Sequence, residues 1–117
     1  MYIQIYGQSE VTILKIYGRF DKNLTKIINN QFRSLIFKKK YNIVLDFTNV
    51  LSLNSIGLGL MVALLKETHK IGGDICLIGV SDSNKILLEL TGFDQIFKVF
   101  EDVSHAVESF NINQTNR

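Results

Sequence analysis

The groups in this chain best placed to do chemistry are two hydroxyls and an amide: Ser52, Asn54 and Ser55, in Leu51-Ser52-Leu53-Asn54-Ser55-Ile56-Gly57-Leu58-Gly59. The segment follows the apolar run Ile43 to Leu45, which suits a strand covered on both faces and is closed by Asp46. A short polar connection, Thr48 to Leu53, leads to Asn54 or Ser55 as the N-cap of a long apolar helix beginning near Ile56. Unpaired backbone N–H groups and the positive end of a helix dipole lie beside these side chains, a place that tolerates added negative charge, including a phosphate. The competing use of Ser55 is as a cap, worth about 1 kcal/mol.

Other reactive residues do not converge. His69 falls in a helix off its apolar face and His105 in another; neither has a Ser or Cys partner, and both read as solvated imidazoles. Cys76 sits between Ile75 and Leu77 in an apolar strand and reads as a small core residue. No catalytic set emerges, no Cys/His spacing suits a metal, and no cofactor is implied. Gly57-Leu58-Gly59 lacks the third glycine and acidic partner of a dinucleotide fingerprint, and Gly72-Gly73 follows a helix instead of opening one. Asp46 is read as ordering the loop towards Asn54, with a polar rim of a partner site as the alternative.

The 117 residues make one domain, 46% hydrophobic, with no proline. A net charge of +2 with interspersed signs gives no footprint for nucleic acid. Lys38-Lys39-Lys40 reads as the solvated end of a helix. No apolar run reaches the roughly 18 residues of a membrane span. The first residues do not resemble a signal peptide, and the lone cysteine suits a reducing compartment, so a cytoplasmic protein is expected.

The positioning elements follow from periodicity. Tyr2 to Gly7 alternates, with Tyr2, Gln4 and Tyr6 on one face and Ile3 and Ile5 on the other; after the turn Gln8 to Glu10, Val11 to Tyr17 forms the second strand of a hairpin, and Gly18 marks a bend or bulge. A helix capped by Asp21 or Asn23 carries the stripe Leu24, Ile27, Ile28, Phe32, Leu35 and Ile36. The central strand, Tyr41 to Phe47, precedes a helix from about Ser55 to Lys70. That helix turns Gly57, Leu60, Met61, Leu64 and Thr68 to the sheet and ends at Gly72-Gly73. Ile75 to Val80 is a strand. A short helix capped by Ser81, Asp82 or Ser83 turns Ile86, Leu87 and Leu90 inward; Phe97 to Phe100 is an edge strand and Glu101 to Phe110 a last helix. The order β-β-α-β-α-β-α-β-α implies an α/β domain over residues 1–110, a hairpin followed by a mostly parallel sheet covered by helices. Residues 111–117 form a polar tail.

Asn54-Ser55-Ile56-Gly57-Leu58-Gly59 resembles the Asp-Ser-Ser-Gly-Leu-Gly signature of STAS domains, the fold of bacterial anti-sigma factor antagonists such as SpoIIAA. The likeness continues in Lys70-Ile71-Gly72-Gly73-Asp74, in Ile75 to Val80 and in Leu88-Glu89-Leu90-Thr91-Gly92-Phe93. Asn54 replaces the usual Asp, and Ile56 stands where the phosphorylated Ser or Thr usually stands. The resemblance implies a cytoplasmic regulator of transcription that binds an anti-sigma factor, itself a serine kinase of the GHKL type. Phosphorylation by that kinase ends the interaction, and a phosphatase restores it. Ser55 is then the candidate acceptor, with Ser52 behind it. A STAS scaffold or sensor module binding a protein partner without phosphorylation is the alternative, and an enzyme or small-ligand binder a more distant one.

The expected partner surface is Asn54, Ser55, Ile56, Gly57, Leu58 and Val62. Met61 and Leu64 are expected in the core, Leu58 and Val62 partly exposed, and Leu65 under a neighbouring helix. Gly57 and Gly59 are read as positions of close backbone approach, so that Gly59→Val disturbs packing or partner contact.

Overall fold

The computed structural model describes the backbone of residues 2–115 and the side chains of residues 2–111. Strands β1 (Tyr2–Gln8) and β2 (Val11–Arg19) form an antiparallel hairpin. Ser9 and Glu10 both take left-handed φ values (51° and 63°), the two-residue turn whose twist matches that of paired strands. Helix α1 (Lys22–Phe37) leads to β3 (Asn42–Ser52), and α2 (Ser55–Lys70) to β4 (Asp74–Ile78). Helix α3 (Asp82–Thr91), a single 3-10 turn (Phe93–Gln95), β5 (Lys98–Phe100) and α4 (Val103–Thr115) complete the chain. The sheet order is β1-β2-β3-β4-β5, antiparallel between β1 and β2 and parallel elsewhere. Fold class and element order are as the periodicity implied.

Strand alternation divides the core in two. Leu14, Ile16, Ile43, Leu45, Phe47, Ile75 and Leu77 meet the inward faces of α1, α2 and α3 on one side of the sheet. Val11, Ile13, Val44, Cys76 and Ile78 meet Ala106, Val107 and Phe110 of α4 on the other. Burial pushes the Cys76 thiol up to about 12, so it stays protonated and inert at neutral pH. Asp21 caps α1, its Oδ1 accepting from Leu24 N at 2.9 Å. The α1 stripe is as expected, with Leu24, Ile28, Phe32 and Leu35 buried and Ile27 and Ile36 half-buried. Arg33 of α1 clasps the carboxylate of Glu67 on α2, at 2.9 and 3.0 Å. Gly72 and Gly73 close α2, Gly73 N donating to Thr68 O and Gly72 N to His69 O.

Three expectations fail for physical reasons. The central strand does not end at Phe47: β3 runs on to Ser52, paired with β2 as far as Arg19 through two register shifts. Asp46 is buried mid-strand and accepts from Thr48 N (2.9 Å) and Thr48 Oγ1 (2.6 Å), at the start of the segment it is expected to order, which is strand and not loop. In α3, Ile86 and Leu90 point outward, at 56% and 80% exposure, while Asn84 and Leu88 are buried. The Asn84 amide oxygen accepts from Leu53 N at 3.4 Å, and this inward polar residue, one turn before Leu88, rotates the stripe. At the C-terminal end, α4 continues past Phe110 to Thr115; Asn116 and Arg117, the end of the expected tail, lie outside the described residues.

Candidate protein-binding site

The start of α2 lies where β3 ends, among the C-terminal ends of the parallel strands, the edge at which open α/β sheets present their sites. Asn54 takes an extended conformation (φ −141°, ψ −177°) and is the cap of α2. Its Oδ1 accepts from Gly57 N at 3.0 Å and its Nδ2 donates to Phe20 O at 2.8 Å. Both ends of the amide are used, and an aspartate would supply only the first. Asn54 therefore ties α2 to the β2–α1 connection. Asn54→Ala is expected to lower stability by about 2 kcal/mol, roughly half from the cap and half from the lost bond to Phe20 O. Asn54→Asp keeps the cap and loses only about 1 kcal/mol. Urea denaturation midpoints of the two variants check this ordering.

With Asn54 as the cap, Ser55 is the first helical residue, and its exposed side chain makes no hydrogen bond among the described residues. Ile56 is 48% exposed and Leu51 72% exposed; Ser52, the last residue of β3, is also exposed. Gly57 is buried against Phe20, where an added Cβ would lie 2.7 Å from the ring and 3.1 Å from the Leu53 side chain. This is the close approach that only a glycine allows. Gly59 is different: it is exposed, and a Cβ there would meet nothing within 4 Å. The packing role expected of Gly59 belongs to Gly57 alone.

Leu58, expected to be partly exposed, is not. It is buried, together with Met61, Leu64 and Leu65, while Val62 is half-buried against the same core. Packing α1 beside α2 covers the flank that sequence spacing left open. Of the six expected surface residues, Ser55 and Ile56 are exposed, Asn54 and Val62 intermediate, and Gly57 and Leu58 buried. Leu51 and Asn84 are the additions. The inward Val50 beside the outward Leu51 is a strand alternation that could have revealed Leu51; nothing in the sequence marks Asn84 as buried.

The two histidines lie elsewhere. His69, at the far end of α2, contacts Asp74 at 3.0 Å, and Lys98 contacts the same carboxylate at 3.3 Å. His105 and Asp102 form an exposed pair at 2.7 Å; that bond raises the pKa of His105, while the His105 backbone N–H, donating to Asp102 Oδ1 at 2.9 Å, and then the ring lower that of Asp102. Among the described residues, no cluster of His, Cys, Asp and Glu could hold a metal ion, and no helix is long and apolar enough to cross a membrane. An open cleft of about 920 Å³ lies at the other end of the sheet, lined by Lys39, Lys40, Tyr41, His69 and Asp74, so it does not coincide with the Ser55 surface.

Residues 2–106 match the family model of the STAS domain. The chain belongs to the STAS family. A candidate anti-sigma factor antagonist of Thermotoga maritima is 35% identical to this STAS domain over 71 residues, which span 60% of this chain and 63% of that relative. The crystal structure of a candidate anti-sigma factor antagonist from Thermotoga maritima superposes with a TM-score of 0.81 at 25% identity, over 92% of each chain. The unphosphorylated form of the anti-sigma factor antagonist SpoIIAA shares the fold, with a TM-score of 0.70 at 16% identity over 98% of each chain.

Proposed function

We propose that this STAS domain is an anti-sigma factor antagonist, a cytoplasmic regulator of transcription that acts by binding and not by catalysis. Its partner is an anti-sigma factor that is also a serine kinase of the GHKL type. The contact surface is built on Ser55, Ile56, Leu51 and the flanking turn of α2. Phosphorylation of Ser55 by the bound kinase ends the contact, and a phosphatase restores it. The observation that carries this reading is that Asn54, not Ser55, caps α2. The Ser55 hydroxyl is thereby left exposed at a helix N-terminus, next in the chain to the exposed Ile56. A phosphate there adds nearly two negative charges at an apolar contact, while the free N–H groups of the first turn accommodate it without unfolding the helix. SpoIIAA, which shares the fold, occurs in unphosphorylated and phosphorylated forms.

The test is to co-purify the tagged chain from bacterial lysate, identify the kinase by mass spectrometry, and incubate the pair with ATP. Modification is expected at Ser55 and is lost in Ser55→Ala, which still binds. Ser55→Asp is expected to weaken binding at least tenfold, about 1.4 kcal/mol. A kinase that binds but modifies nothing from Ser52 to Ser55 removes the phospho-switch. That outcome leaves the second reading, a STAS scaffold or sensor module that binds its partner constitutively. Ile56 favours this alternative, since it has no hydroxyl at the position where the family signature carries its acceptor.

A further inference from the structure

One of the two edges of the sheet is β1, whose first five residues, Tyr2-Ile3-Gln4-Ile5-Tyr6, read the same in both directions; the other, β5, is three residues long. We propose that β1 pairs antiparallel with β1 of a second copy of this chain, about a two-fold axis through Gln4, joining two five-stranded sheets into one. In that register Tyr2 stands opposite Tyr6 of the other copy, Ile3 opposite Ile5, and Gln4 opposite its own equivalent. Like therefore meets like on both faces, the tyrosines on one and the isoleucines on the other, in side-chain pairs that stabilise sheets.

The backbone supports the same register. A two-residue hairpin turn closes on a hydrogen-bonded pair, here Gln8 with Val11. Alternation then assigns the N–H and C=O groups of Tyr6, Gln4 and Tyr2 to β2 and leaves those of Ile3, Ile5 and Gly7 on the free edge. Across the axis, Ile3 and Ile5 exchange both backbone hydrogen bonds. The devices that ordinarily block such pairing are missing: Tyr2–Gln8 contains no charged residue and no proline, and its register with β2 has no bulge. Tyr2, Ile5 and Tyr6 are 50%, 42% and 42% exposed, so side chains able to pair are already at the surface. Tyr2 is held in place by stacking on Tyr17 at 4.3 Å. An edge contact alone is smaller than a standard interface, so the dimer is weak and concentration-dependent.

The test is sedimentation equilibrium of the full chain and of Gln4→Lys and Gln4→Glu. Gln4 is exposed but stands opposite Lys15 and accepts from the Tyr17 hydroxyl at 3.1 Å, so a thermal melt of each variant accompanies the measurement; both stay folded, Gln4→Lys melting lower because it adds a like charge opposite Lys15. The wild type is expected to rise with concentration from 13.3 kDa towards twice that mass. Each variant places like charges opposite each other at the axis and stays monomeric. An equimolar mixture of the two recovers the dimer, and salt weakens it. A wild type that remains monomeric at millimolar concentration overturns the proposal, even if the edge accepts a foreign strand. A dimer that both charge variants leave intact overturns it as well.

Discussion

Leu58→Asp is expected to unfold the protein, whereas Ile56→Asp leaves it folded and removes partner binding. The two positions are neighbours on the same helical turn, but Leu58 is 5% exposed and Ile56 48%. Truncating a buried leucine costs about 2–5 kcal/mol through lost transfer energy and the cavity left behind. A carboxylate in that place adds a desolvation penalty or must take up a proton. The sum, about 5 kcal/mol or more, reaches the whole stability of an ordinary domain. At Ile56, in the first turn of α2, an aspartate faces solvent and the positive end of the helix dipole, so its effect on folding stays within about 0.5 kcal/mol. Circular dichroism and urea denaturation separate the two variants for folding, and co-purification with the proposed partner reports binding by Ile56→Asp. A folded Leu58→Asp would show that the core boundary on α2 is misplaced. Normal binding by Ile56→Asp would move the contact surface away from the helix start.

Gly79→Ala is expected to cost about 3–5 kcal/mol, from strain and lost hydrogen bonds together. Gly79 follows β4 with φ +67°, where a side chain is strained by about 1–2 kcal/mol. A Cβ there would also lie 2.7 Å from Thr48 N and 3.0 Å from Asp46 Oδ1, and closer still to Thr48 Oγ1. To make room, the bonds from Thr48 N and Oγ1 to the Asp46 carboxylate must lengthen or break, leaving a buried acid short of donors. The second half of β3, which carries Leu51 and Ser52 towards the site, depends on that junction. Thr48→Ala removes one of the colliding atoms but not the backbone nitrogen, so combining it with Gly79→Ala recovers only part of the loss. A double-mutant cycle in urea measures that coupling, and an unchanged midpoint for Gly79→Ala alone would sink the account.

The sequence by itself determined the element order and the family. Period-two alternation in β1 and β2, the α1 stripe, the pairs of cap candidates Asp21 or Asn23 and Asn54 or Ser55, and the glycines after α2 are local signals, and each places its element without reference to the rest of the chain. The candidate site was legible to the same depth: a serine beside a helix cap can be read from a few consecutive residues.

What remained was decided by contacts between residues distant in sequence. The choice of Asn54 over Ser55 as the cap of α2 is supported by Phe20 O, 34 residues away in sequence, which accepts from the Asn54 amide. Leu58 is buried because the broad apolar face of α2 packs on the sheet with α1 beside it; helical spacing gives the angle of a side chain but not what covers it. The face of α3 was set by Asn84 reaching Leu53 N, a polar residue taken inside, which a count of apolar positions assigns to solvent. The central strand continues beyond Phe47 because the β2–β3 ladder extends to Ser52 and Asp46 accepts from Thr48 N and Oγ1. Tertiary packing thus selected which of the locally possible faces and caps is used, because burial and hydrogen-bond satisfaction are properties of the assembled fold.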